Sequence, residues 1–212
     1  MENPVAFVET AWRRYTKHSR NKAQEIQGAI QVLASTYRSS CPFIGAILAG
    51  VFTEAALNQL KSLGFQVLFF PYESIVEAFQ SVGVDAKFDE DTPEKELRKK
   101  ISRWNALSKQ AKRSVASHLV GKHQKDIATF FGALDKTVSQ RIEKIVVIPL
   151  HGQEMEYSTV AEAINFLSNY GAASVTVKVY KYEIQIRYSN GDKITAEFSD
   201  RTAAIEFLAR YA

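Results

Sequence analysis

A small group of charged residues near the start of the chain has the types and spacing that phosphate chemistry uses. Glu9 closes a short apolar run, Pro4 to Val8, and a basic segment follows it with Arg13, Arg14, Lys17, Arg20 and Lys22. A carboxylate delivered by a buried strand can hold a divalent cation, and a lysine beside it can steady or deprotonate a water attacking a phosphate. Lys17 and Lys22 are the lysines left to reach Glu9 from a neighbouring element, and Glu25, three residues after Lys22, would complete an ion site for Mg2+. The plainer expectation for Lys22 and Glu25 is a helical ion pair worth about 0.3 kcal/mol. Arg13, Arg14, His18 and Arg20 add positive charge suited to a phosphate backbone.

These residues need elements to position them, and the apolar pattern predicts which. Ala23, Ile26, Ile30, Leu33 and Tyr37 fall at alternating spacings of three and four, which predicts an amphipathic helix behind the Glu9 strand. Pro42 to Gly50 (PFIGAILAG) is nearly continuously apolar, as in a strand covered on both faces. Thr53 caps the next helix, with Ala56, Leu57 and Leu60 inside and Gly64 ending it. Phe65 to Phe70 is a second buried strand, and Ile75, Val76 and Phe79 carry a third helix to Gly83. Strands joined through a helix in this way pair in parallel, by a right-handed crossover.

The segments VETAWRRYTKHSRNKAQEIQGAI and CPFIGAILAGVFTEAALNQLKSLGFQVLFFPYESIVEAF resemble the central part of the restriction-endonuclease-like, or PD-(D/E)XK, nucleases over roughly the first 80 residues. The resemblance implies an α/β fold with a partial core in the order strand, helix, strand, helix, strand. It implies Mg2+-dependent hydrolysis of DNA phosphodiesters in the manner of type II restriction endonucleases. Glu9 would then bind the metal with Glu25, and Lys17 or Lys22 would assist the water. Where the family carries Glu-x-Lys this chain reads Glu9-Thr10-Ala11, and the family's acid on the preceding strand has no counterpart. That acid would lie upstream of Met1 if the natural chain extends there. Without it, the second expectation is a non-catalytic DNA-binding or partner-binding protein on a truncated nuclease scaffold. A homodimer would be another source of missing groups.

Composition narrows the remaining classes. The chain has 212 residues and a formal charge of +4, with 46% hydrophobic and 24% charged residues, which is the balance of a folded protein with a mild preference for anionic partners. One cysteine, Cys41, excludes an intramolecular disulfide and a cysteine-based zinc site. The longest apolar run, Phe43 to Phe52, is about half a membrane span, no signal-peptide pattern opens the chain, and a cytoplasmic protein is expected. The glycines form no phosphate-cradling motif. Glu73 and Glu77, one helical turn apart, read as solvated surface.

Three segments are expected: 1–84 as the nuclease-like core, 85–144 as an acidic linker with basic helices, and 145–212 as a small α+β unit. The linker DAKFDEDTPEKE ends in a helix start at Asp91 or Thr92 before Pro93. From Leu97 to Lys125 there are nine Lys or Arg and no acid, so Lys99, Lys100, Arg103, Lys112 and Arg113 are candidate DNA contacts. Solvated helices balanced by the acidic linker are the alternative. Ser108 caps the second of these helices, and residues 124–145 resemble a helix-turn-helix turning near Gly132, against plain helical packing. His118 and His123 do not share a helical face, and His151 falls in a loop. In the last segment Ser158 caps a helix, Ser174 to Tyr188 forms one bent strand or two, Asn190-Gly191 is a hairpin turn, and Asp200 caps the closing helix. The sheet face bearing Lys178, Lys181, Arg187 and Lys193 is expected to be ordinarily solvated.

Overall fold

The structure is a computed structural model that describes residues 4–15, 19–40, 42–149, 153–170 and 181–212. Lys17, His18, Cys41, His151 and Lys178, and the strand expected over 174–180, lie outside the described residues. The chain is mixed α/β and divides into two units, 4–36 with 42–135, and 37–41 with 136–212. The basic helices over 94–135 therefore belong by their contacts to the same unit as the first sheet.

In that unit β1 (Ala6–Arg13), β2 (Phe43–Gly50) and β3 (Gln66–Pro71) form a parallel sheet in sequential order, with Glu9 opposite Ala46 and Arg13 opposite Gly50. Parallel pairing requires crossovers, and α1 (Ser19–Thr36) and α2 (Glu54–Ser62) supply them. One sheet face is buried under these helices. Ala46, Leu48 and Phe65 pack there against Ala23, Ile26, Ile30, Ala56 and Leu60. Thr53 accepts the Ala56 N–H at 3.2 Å, the expected cap.

The other face is covered by α6 (Gln124–Val138), where Phe130 packs with Phe43 and Leu68. Of the two expectations for residues 124–145, plain helical packing is the one that forms, because α6 runs as one continuous helix past Gly132. Its apolar stripe of Ile127, Phe130 and Leu134 runs past Gly132 without a break, and Gly132 itself is exposed. A glycine inside a helix costs about 1 kcal/mol, which burial of Phe130 outweighs. Gly45 makes that burial sterically feasible: a Cβ there would lie 2.6 Å from Phe43 Cε1 and 3.0 Å from Phe130 Cζ.

α3 (Tyr72–Gln80), α4 (Glu94–Ala106) and α5 (Lys109–Lys122) complete this unit. α4 starts after Pro93, while Thr92 instead closes the preceding turn by accepting the Asp89 N–H at 2.8 Å. Ser108 caps α5 as expected, accepting the Ala111 N–H at 3.1 Å. Phe79 of α3 meets Trp104 of α4 at 5.0 Å between ring centroids.

The second unit holds β4 (Ile142–Pro149), β5 (Met155–Tyr157), β6 (Tyr182–Tyr188) and β7 (Lys193–Phe198), an antiparallel sheet ordered β5-β4-β6-β7. α7 (Val160–Asn169) and α8 (Arg201–Ala209) pack on one face over Ile145, Val147, Ile184 and Ile186. β6 alternates buried Tyr182, Ile184, Ile186 and Tyr188 with half-buried Glu183, Gln185 and Arg187. Thr159, not Ser158, caps α7, because Glu162 returns to the Thr159 backbone and completes a capping box. The Asn190-Gly191 turn and the Asp200 cap form where the sequence predicts them.

Candidate functional site

The alternation of β1 decides which of its side chains meet α1. Phe7 and Ala11 join the core under α1, so Glu9 and Arg13, two residues from Ala11 on either side, share that face. On α1 the buried stripe of Ala23, Ile26 and Ile30 presses the helix onto the sheet. Lys22 and Glu25, three apart, flank that stripe.

The result is a four-member charge cluster built from two elements. Lys22 Nζ lies 3.3 Å from Glu9 Oε1 and 3.4 Å from Glu25 Oε2, and Arg13 Nη2 lies 3.8 Å from the same Glu25 oxygen. Lys22 is the most enclosed, with 17% of its side chain exposed, against 37% for Glu9 and 59% for Glu25. Arg13 Nε is buried and has no hydrogen-bond partner among the described residues. Lys22 of α1 thus reaches the Glu9 carboxylate of β1. Two carboxylates balance two cations, leaving no net charge. Such half-exposed pairs add little stability.

Gly50 fixes the far end of the strand pair. It has φ +99°, and a Cβ would collide with the Arg13 carbonyl oxygen, which accepts the Val51 N–H at 2.6 Å. The backbone that carries Arg13 is thereby locked against β2.

Arg14 does not join the cluster. Its guanidinium stacks 4.0 Å over the Tyr72 ring, with the Tyr15 and Phe88 rings each at 5.2 Å, and its Nε donates to the Phe88 carbonyl at 2.7 Å. Tyr72 Oη accepts the Phe88 N–H at 2.9 Å. The expected phosphate contact is thus taken up by the protein itself, as a clasp that fastens the 85–88 segment to the sheet. No sequence signal marks that clasp, because its partners are 74 residues apart. Arg20 is exposed on the first turn of α1.

The helical candidates divide in the same way. Lys99, Arg103 and Arg113 are exposed, and Lys99 and Arg103 line an open groove of about 1030 Å³ along α4. Lys100 is bound to the Asp85 carboxylate and to the Lys87 carbonyl, and it holds the Asp85 carboxyl below its ordinary range. Lys112 lies 5.4 Å over the Trp104 ring. Lys122 hydrogen-bonds Glu77 and lowers its carboxyl likewise, which ties α5 to α3. His123 packs edge-on to Phe70, with Nδ1 3.5 Å from Asp126, and His118 is exposed. Among the described residues no group of three His, Cys, Asp or Glu could hold a metal, and no helix is long and apolar enough to cross a membrane.

Comparison with protein-family models, with curated proteins and with solved structures finds no match.

Proposed function

We propose that this protein acts on DNA, and that Glu9, Lys22 and Glu25 form the centre of a divalent-metal-assisted phosphodiester hydrolysis on a partial restriction-endonuclease-like core. The observation carrying this reading is the placement of Lys22 Nζ within 3.4 Å of both carboxylates, each from a different element. Mg2+ commonly takes one or two carboxylates and fills its remaining positions with water and phosphate oxygens. Glu9 and Glu25 would hold it, and the bound metal would polarise the phosphoryl group and acidify a water. Lys22 and Arg13 neutralise the carboxylates, so a DNA backbone can approach without net repulsion. Arg20, Lys99, Arg103 and Arg113 are the exposed cations left to bind the backbone.

Binding without cleavage is the second reading. It is favoured because both carboxylates already have cationic partners and no third metal-ligating side chain accompanies them among the described residues. Plasmid and short-duplex cleavage with Mg2+ or Mn2+, beside gel shifts at two salt concentrations, separates the two. Metal-dependent cutting that falls about 100-fold or more in Glu9→Ala and in Lys22→Ala supports the enzyme. Salt-sensitive binding with no cutting supports the second reading, and neither cutting nor binding overturns both.

A further inference from the structure

The C-terminal unit carries a cleft of its own, between the edge strand β7 and helix α8, with a volume of about 520 Å³. That is within the usual range for small-molecule sites. Three cations line it, Arg38, Lys193 and Arg210, and among the described residues its lining contains no carboxylate. All three are exposed residues, and none forms an ion pair among the described residues. This sets them apart from Lys144, Lys181 and Arg187 of the same sheet, which face Glu156, Glu197 and Glu154.

Arg38 is brought there from far away in sequence. Gln140 donates through Nε2 to the Ser40 carbonyl at 3.2 Å and accepts from Asn190 Nδ2 at 2.9 Å. A single side chain thus ties the Arg38–Ser40 turn to the β6–β7 hairpin, which carries Lys193. Arg210 follows the last turn of α8, where a cation offsets the negative helix end. The wall beside these charges is aromatic: Phe207 of α8 and Tyr211, just past its end, are half-buried with ring centroids 5.2 Å apart. Unpaired cations converging beside an aromatic wall recognise a phosphate attached to a flat ring.

We propose that this cleft binds a nucleotide, with Arg38, Lys193 and Arg210 on the phosphate and Tyr211 against the base. The site is independent of the Glu9 cluster and lies in a different unit. The ligand chemistry is shared by a free mononucleotide and by an unpaired stretch of a nucleic-acid strand, and the test separates the sources.

The full chain is titrated with AMP, with a short single-stranded oligonucleotide and with inorganic phosphate, following binding by calorimetry and Tyr fluorescence. Variants Lys193→Gln and Arg210→Gln, both at exposed positions, are expected to weaken binding about tenfold each. Arg38→Glu, on a separate segment, should weaken it further, while Lys61→Gln, at an exposed position of α2 in the other unit, should leave binding unchanged. Unchanged melting temperatures establish that the variants fold. Variant-sensitive AMP binding supports the proposal with a free nucleotide as ligand. Variant-sensitive binding of the oligonucleotide alone supports it with a nucleic-acid strand as the source. Phosphate binding as tight as AMP overturns the role of the aromatic wall. The proposal as a whole is overturned by variants that bind like the wild type, or by a wild type that binds none of the probes. Because the Glu9 variants play no part in this titration, loss of the nuclease reading would leave its outcome unchanged.

Discussion

At the scale of single residues, steric exclusion constrains this protein more tightly than charge does. The Glu9 cluster can be neutralised or rearranged at modest cost, since its members are partly exposed and its pairs are weak contributors to stability. Gly50 has no such freedom. Its positive φ costs an L-residue about 1–2 kcal/mol, and the Arg13 carbonyl occupies the space a Cβ would need. Gly50→Ala is therefore expected to lower stability by at least about 2 kcal/mol, read as a drop in the urea midpoint at constant slope. A midpoint unchanged within error would mean that the β1–β2 edge relaxes freely. The same substitution should reduce any cleavage activity, because it moves the backbone that carries Arg13, whereas Gly83→Ala, also at positive φ but with open space around it, should change stability alone.

At the scale of elements, the strands of the first sheet with their parallel order, and most helix caps, are legible in the sequence, because each is written in a local run: PFIGAILAG for β2, Thr53 and Ser108 for the caps, Asn190-Gly191 for the hairpin, whereas the three-residue β5 has no such run and is not. What the sequence does not show is which distant side chains meet. Lys22 and Glu9 are 13 residues apart and Arg14 and Phe88 are 74 apart, and no period links them. The helix through Gly132 is held in the same way, by tertiary burial of Phe130 against Phe43, with rings edge-to-face at 5.4 Å. Phe130→Ala should accordingly cost about 3–5 kcal/mol, measured by chemical denaturation, and a loss below 1 kcal/mol would show that α6 is held by something else. The ties among the outer helices are electrostatic. Lys122 lowers the Glu77 carboxyl and Lys100 lowers the Asp85 carboxyl by hydrogen bonding. Folded carboxyls depressed below their unfolded values contribute stability above the unfolded range, and that contribution disappears as pH falls through the folded values. Stability should thus decline as pH drops below about 4, and Lys122→Met should make that decline shallower. An acid limb identical in wild type and variant would show that Lys122 and Glu77 are not coupled in solution.

At the scale of the whole molecule, a formal charge of +4 understates how unevenly charge is placed. Eight cations of the first unit differ in what they already hold. Lys22, Arg14, Lys100 and Lys122 are spent on the protein's own carboxylates, rings or carbonyls. Arg20, Lys99, Arg103 and Arg113 are exposed. On the proposed DNA-binding reading, a cation already paired within the protein releases fewer counterions when it meets a phosphate, so the division between sets is a better guide than net charge. Each such contact contributes about 0.9 to the slope of log affinity against log salt on duplex DNA. Substituting Lys99, Arg103 or Arg113 with Gln should therefore reduce the slope by about one each and weaken binding to all sequences alike. Lys122→Gln should leave the slope where it is, because its ammonium is already paired with Glu77. A gel-shift or anisotropy series between 50 and 200 mM salt, about the range over which such contacts lose most of their affinity, distinguishes the two sets. Equal slopes for the Lys99 and Lys122 variants would place the DNA elsewhere than along α4.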